Sequence, residues 1–227
     1  MRAMVLAAGK GERMRPLTLE TPKPLLMAGG KALIVHQLEK LAQAGFRDIV
    51  INHAWLGEQV EQALGDGSSL GVTISWSPEH EPLETAGGIL QALPLLAGAG
   101  HDSAFACVNS DIWTDFSYTR LPQLNGDSLL AWLVMVDNPP QHSDGDFVLD
   151  NGLVREGTSS EKKLTFSGIA VYHPGLFSGL APGKQSVVPL LKKAMAEGRV
   201  GGEYYGGQWY DIGTPERLTQ LDIMLSA

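Results

Sequence analysis

Only one cysteine, Cys107, occurs in 227 residues, so no internal disulfide can staple the fold. It sits in the apolar run Ala104 to Val108, the setting of a buried inert thiol rather than a nucleophile. No run of about 18 apolar residues exists, so no membrane span is expected. The first residues pass straight into an apolar strand without the layout of a secretory leader, which makes the cytoplasm the expected compartment. A cationic excess is missing as well. The net charge of −8 argues against nucleic acid as a partner. His36, His53, His80, His101, His142 and His173 show no zinc-site spacing. No linker, internal repeat or low-complexity segment breaks the chain, and the hexapeptide repeats of a left-handed β-helix are absent. Two phosphate-loop patterns are missing too. No Gly-Lys-Ser or Gly-Lys-Thr closes a P-loop, and Met14 stands where a dinucleotide fingerprint needs its third glycine.

What is present is an ordinary globular composition, 44% hydrophobic and 19% charged, long enough for one well-buried domain over 1–227. The first half alternates strands and helices. Met4 to Ala8, 48–52, 72–77 and 104–109 read as strands, and 32–44, 55–64 and 86–96 as helices. This alternation predicts an α/β fold, with a mostly parallel sheet covered on both faces. The second half is richer in strand. Residues 129–136 and 164–172 are strands, and Asp150-Asn151-Gly152 marks a hairpin between 145–149 and 153–156. Helices follow at 187–196 and from Pro215 to Leu225, with 200–205 extended between them.

In such sheets ligands sit at the carboxyl ends of strands. After the first strand comes Leu6-Ala7-Ala8-Gly9-Lys10-Gly11-Glu12-Arg13-Met14-Arg15-Pro16, then Pro22-Lys23-Pro24. Glycines let backbone N–H groups close on phosphate, and Arg13, Arg15 and Lys23 add charge. Residues 1–31 carry a net +4 and the remainder −12, so a basic loop stands in an acidic protein. That distribution suits a small polyanion such as a polyphosphate. Asn109-Ser110-Asp111 falls at the end of another buried strand, on the same edge.

The glycine loop with Pro22-Lys23-Pro24 resembles the signature of the sugar-1-phosphate nucleotidyltransferases, and the resemblance runs along nearly the whole chain. Within that family it leans toward uridylyltransferases acting on N-acetylmuramic acid 1-phosphate in peptidoglycan recycling. The resemblance implies a Rossmann-like three-layer αβα fold with a mixed, mostly parallel central sheet. The nucleotide-binding part would span about 1–112, and a β-rich sugar-binding part about 113–227. It implies an enzyme with UTP and a sugar 1-phosphate as substrates, and Mg²⁺ as cofactor. Thymidylyl or uridylyl transfer to glucose 1-phosphate, guanylyl transfer to mannose 1-phosphate, and a silent nucleotide-sugar-binding module remain alternatives. A monomer is expected ahead of a homo-oligomer, since no extra interface segment is visible.

The same resemblance implies the site. Arg13 steadies the leaving pyrophosphate, Lys23 bridges phosphates at the reacting centre, and Asp111 is the third catalytic residue. Asp111 and Asp211, the latter in Trp209-Tyr210-Asp211-Ile212-Gly213, hold the metal. Ala8, Gly9, Gly11, Glu12, Arg13 and Lys23 surround the nucleotide. Thr85, Ala86 and Gly87 read its base from a helix start. The sequence there is Leu83-Glu84-Thr85-Ala86-Gly87-Gly88, with Glu84 where relatives carry glycine. Asn109, Gly145, Asp146, Glu156, Gly168 and Trp209 border the sugar. Relatives continue Glu156 as Glu-Lys-Pro, but Gly157 follows here.

Overall fold

In a computed structural model, residues 1–96 and 103–226 are described, and His101 lies outside them. The chain runs β1 (Ala3–Leu6), β2 (Met27–Ala28), β3 (Lys31–Ala32), α1 (Leu33–Gln43), β4 (Asp48–His53), α2 (Gly57–Leu64), β5 (Thr73–Pro78), α3 (Glu84–Leu96) and β6 (Phe105–Asn109). It continues through β7 (Ile112–Thr114), β8 (Ala131–Val136), β9 (Val148–Asp150), β10 (Leu153–Arg155), β11 (Thr165–Tyr172), α4 (Val188–Ala196), β12 (Val200–Tyr204), β13 (Trp209–Asp211) and α5 (Pro215–Ser226).

One nine-stranded sheet has the order β5-β4-β1-β6-β11-β8-β12-β10-β9. Only β11 and β10 run against the rest, so the sheet is mixed and mostly parallel. Alternation along each strand builds the two outer layers. Ala3, Val5, Ile49, Ile51, Ala106 and Val108 pack with Ile34, Leu38 and Val60 of α1 and α2. Met4, Val50, Phe105 and Cys107 face the other way, onto Ile89, Leu96, Leu191 and Met195 of α3 and α4. Burial in that second layer pushes the Cys107 thiol pKa up, which keeps it a thiol. No helix among the described residues is long and apolar enough to cross a membrane.

Residue by residue, the sequence-predicted elements recur with ends shifted by a few positions. The hairpin turn is Asn151-Gly152, both at positive φ (49° and 81°), as a two-residue primed turn requires. Two short ladders carry no sequence signal. β2 pairs with β3, and β7 pairs with β13. A third apolar cluster joins Met14, Leu26 and Ala28 to Ile212, Leu218 and Leu221. Through it the C-terminal helix α5 backs the glycine loop, and the N–H of Gly29 donates to Asp222 at 2.8 Å.

Candidate active site

β1 stands between β4 and β6, with the chain crossing to opposite sides of it, so a crevice opens at their shared carboxyl edge. Three adjoining cavities fill it, of about 340, 540 and 280 Å³. The first and second share Gly9, Lys23, Pro82, Asp111 and Lys184. Arg13 and Asp111 border both the second and the third. They therefore form one continuous cleft.

The glycine loop shapes the middle cavity, lined by Gly9 through Met14 with Lys23, Glu81 and Gly213. Gly11 sits at φ +62°, and a Cβ there would lie 2.9 Å from Thr18 Cγ2 and 3.2 Å from Lys23 Cβ. The Thr18 hydroxyl donates to Gly11 O at 2.8 Å, which locks the turn. Arg15 lines none of the three cavities and pairs loosely with Glu12 at 3.9 Å. Lys23 is buried and its Nζ meets Asp111 Oδ2 at 2.5 Å.

The first cavity is bounded by Leu6 to Gly9, Asn52, Pro82, Thr85 and Asn109. A buried polar chain braces it. The N–H of Ala7 donates to Asn52, whose amide donates to Glu79 at 2.7 Å, and Glu79 also accepts the N–H of Leu83. Thr85 borders this cavity, whereas Ala86 and Gly87 turn their N–H groups to Gln185 O at 2.9 and 3.2 Å. Gly87 allows that docking, because a Cβ there would stand 2.1 Å from Gly183 O. Gly88 has the same role toward Glu79, 2.5 Å from where its Cβ would be. Glu84 holds the left-handed backbone (φ 60°) that glycine adopts freely. Its carboxylate pairs with Lys184 at 3.8 Å across the cleft mouth.

The third cavity gathers Asn109, Asp111, Gly168, Trp209 and Asp211. The β7–β13 ladder brings the two aspartates together across 100 residues of chain. Ile112 pairs with Asp211, and the N–H of Ile212 donates to Asp111 O at 2.9 Å. From behind, Gln37 of α1 donates to Ile112 O at 2.6 Å, and Lys40 to Thr114 O. Burial lowers the pKa of Lys40, and nearby Asp115 opposes that shift. Asp211 is held by Arg217. Gly168, at φ +79° in a register shift of β11, lets the Asn109 amide approach to 2.6 Å from where a Cβ would be. Trp209 Nε1 donates to Ser167 O at 2.9 Å.

Among the described residues no group of three or more His, Cys, Asp or Glu side chains could hold a metal ion. Two carboxylates in one cavity, with phosphate oxygens from a substrate, still match the hard oxygen donors that Mg²⁺ takes beside nucleotides. Three other sequence-predicted residues stand outside the cavity linings. Gly145, at φ +63°, packs on the Asn138 amide. Asp146 accepts the N–H of Phe166 at 2.8 Å and meets His142 at 3.0 Å. Glu156 pairs with Lys192 at 2.7 Å on the surface. Sequence reasoning passed over Asn52, Glu79, Gln141, His142, Lys184 and Arg217. Of these only Asn52 carried a usable signal, since it ends the strand beside β1.

Residues 2–147 match the sequence profile of the nucleotidyl transferase family. The N-acetylmuramate alpha-1-phosphate uridylyltransferase of Neisseria meningitidis is 48% identical, over 100% of this chain and 99% of the relative. Its namesake from Caulobacter vibrioides is 34% identical, over 99% and 96%. The mannose-1-phosphate guanylyltransferase catalytic subunit beta of Drosophila pseudoobscura is 32% identical over all of this chain, which spans 63% of that subunit. A Bacillus anthracis protein assigned as a glucose-1-phosphate thymidylyltransferase, crystallised with sucrose, shares the fold. Its TM-score is 0.85 at 21% identity, with 100% of this chain and 95% of that one covered. A profile match over well over half the residues, with end-to-end identity near one half to a named nucleotidyltransferase, shows that the chain belongs to the nucleotidyl transferase family.

Proposed function

We propose that the protein transfers UMP from UTP to N-acetylmuramic acid 1-phosphate, releasing pyrophosphate and supplying a UDP-sugar to peptidoglycan recycling. A sugar-phosphate oxygen attacks the α-phosphorus, a new P–O bond forms, and the bond to pyrophosphate breaks. Both reactants are anions, so the enzyme aligns them and offsets charge rather than supplying a nucleophile. The observation that carries this reading is the position of Arg13 and Asp111, each bordering both the triphosphate-sized middle cavity and the smaller third one. A residue at that junction touches donor and acceptor phosphates together.

In this reading Arg13 clamps phosphate oxygens with its planar fork and Lys23 acts as a point charge beside the α-phosphate. The base rests in the first cavity on Thr85, against the wall stiffened by Asn52 and Glu79. The sugar takes the third cavity. Asp111 and Asp211 would hold Mg²⁺, which neutralises phosphate charge when bound. The chain works as one nucleotidyltransferase unit and as a monomer, and the reading goes with a cytoplasmic enzyme.

The test is pyrophosphate release with Mg²⁺, crossing UTP, dTTP, GTP and ATP with the 1-phosphates of N-acetylmuramic acid, N-acetylglucosamine, glucose and mannose. Turnover chiefly with UTP and the muramyl substrate is expected, and Asp111→Ala abolishes it. Preference for another pair refutes the substrate assignment. Absence of turnover with tight UDP-sugar binding refutes the enzymatic one.

A further inference from the structure

His142 stands in the wall of the third cavity, in the turn Pro140–His142 that follows β8. Its Nε2 meets Asp146 Oδ1 at 3.0 Å. The other Asp146 oxygen accepts the N–H of Phe166, itself a lining residue, at 2.8 Å. Asp146 thus ties the imidazole to the β11 wall. With Nε2 engaged, Nδ1 is the ring nitrogen left for a ligand, and a doubly protonated ring donates through both. Gln141 beside it adds an amide to the same lining.

Charged and ionisable groups in that cavity are few. Two carboxylates, Asp111 and Asp211, stand against Arg13 and His142. Arg13 also belongs to the middle cavity, to which the function proposed above assigns the triphosphate. Among the described residues that line the third cavity, His142 is therefore the cation-capable one that the middle cavity does not share, while Arg217, lining an adjoining cavity, is taken up by Asp211. Arg13 and His142 line the same cavity of about 280 Å³, so a sugar 1-phosphate with its phosphate near Arg13 can present a substituent on the opposite side of its ring to His142.

We propose that His142, positioned by Asp146, binds a carboxylate carried by the sugar 1-phosphate and thereby selects a muramic-type acid sugar over its uncharged parent. This rests on the function proposed above and adds the residue that sets its sugar specificity.

N-acetylmuramic acid and N-acetylglucosamine 1-phosphates differ by the lactyl ether, so together they isolate the carboxylate. His142→Ala, His142→Lys and Asp146→Asn are compared with the wild type on both. His142 is exposed, so none of these changes at position 142 threatens the fold. His142→Ala is expected to lower kcat/KM on the muramyl substrate by about 10- to 100-fold, the worth of a charge-assisted hydrogen bond. The loss falls chiefly in KM, and the N-acetylglucosamine substrate stays within about threefold of wild type. His142→Lys retains part of the preference, and Asp146→Asn weakens it in the same direction as His142→Ala. Equal losses on both sugars, or an unchanged muramyl KM in His142→Ala, overturn the role of His142 while leaving nucleotidyl transfer intact. A wild type that turns over another pair but not the muramyl substrate overturns the function and the proposal with it, before any variant is made.

Discussion

Lys23→Met removes the ammonium that meets Asp111 at 2.5 Å and keeps most of the side-chain length. Breaking a fully buried pair on one side costs about 3–5 kcal/mol, because the surviving charge cannot rehydrate. Here Lys23 is 8% exposed, but the Asp111 side chain is 32% exposed into an open cleft. Water reaches the orphaned carboxylate, so the expected stability loss is nearer 1–2 kcal/mol, roughly 2–8 °C for a chain of this length. In the role proposed for Lys23, beside the transferring phosphoryl, turnover suffers more. Charge on the transferring phosphoryl and the leaving pyrophosphate grows toward the transition state, and removing one preorganised donor there costs about 2.7–4 kcal/mol, or 100- to 1,000-fold in kcat. Calorimetric UTP titration, thermal unfolding and steady-state kinetics on one preparation separate these effects. The expected pattern is a modest melting shift, a UTP Kd changed by less than about tenfold, and kcat down by two to three decades. A kcat within about fivefold of wild type refutes the reasoning. So does a loss confined to KM, which would mean that Lys23 binds ground state and transition state alike.

Gly168→Ala forces a left-handed alanine whose Cβ lies 2.6 Å from Asn109 Nδ2 and 3.2 Å from Asn109 Cβ. About 2–4 kcal/mol of stability should be lost and the KM for sugar 1-phosphate raised, and an unshifted melting curve would contradict this. At position 84, where φ is 60°, Glu84→Gly should be more stable than Glu84→Ala by roughly 1 kcal/mol and melt higher, reversing the usual helix ranking. Differential scanning calorimetry decides the order. Glu161 is held down at a pKa of about 2, first by the Arg155 hydrogen bond and then by the Thr158 N–H and hydroxyl. Since its folded pKa is depressed, its anchoring of the 158–161 turn is complete above about pH 4.5 and lost as pH falls toward 2. The Thr158 amide resonance should titrate near pH 2, and a midpoint near 4.5 would show that the anchor is absent.

The elements that proved legible in the sequence share a physical property. β1, β4 and β6 are buried on both faces and α1 carries one apolar stripe, so composition and period state the environment locally. β7 and β13 have three residues each, too few for any period to register. Their pairing depends on β7, held by Gln37 from α1, meeting a strand nearly 100 positions later, and on α5 packing behind the glycine loop. The helix start at 84–88 shows a subtler gap. Its small residues were visible as a platform for a base, but the packing they also permit was not. Gly87 and Gly88 admit the 183–185 backbone and the Glu79 carboxylate, and both are approaches from distant chain.

By itself the sequence determined the α/β layering, the cationic glycine loop at the end of the first strand, and the strand-end aspartate at 111. These are local matters, set by side-chain period, glycine freedom and the rule that strand ends face the crevice. Only the tertiary structure decided which distant groups share a cavity. It set Lys23 on Asp111, joined Asp211 to the same wall, brought Lys184 over the cleft mouth, and turned Asp146 toward His142 while Glu156 went to Lys192. Contacts of that kind follow from strand order and helix packing, which no window of residues along the chain encodes.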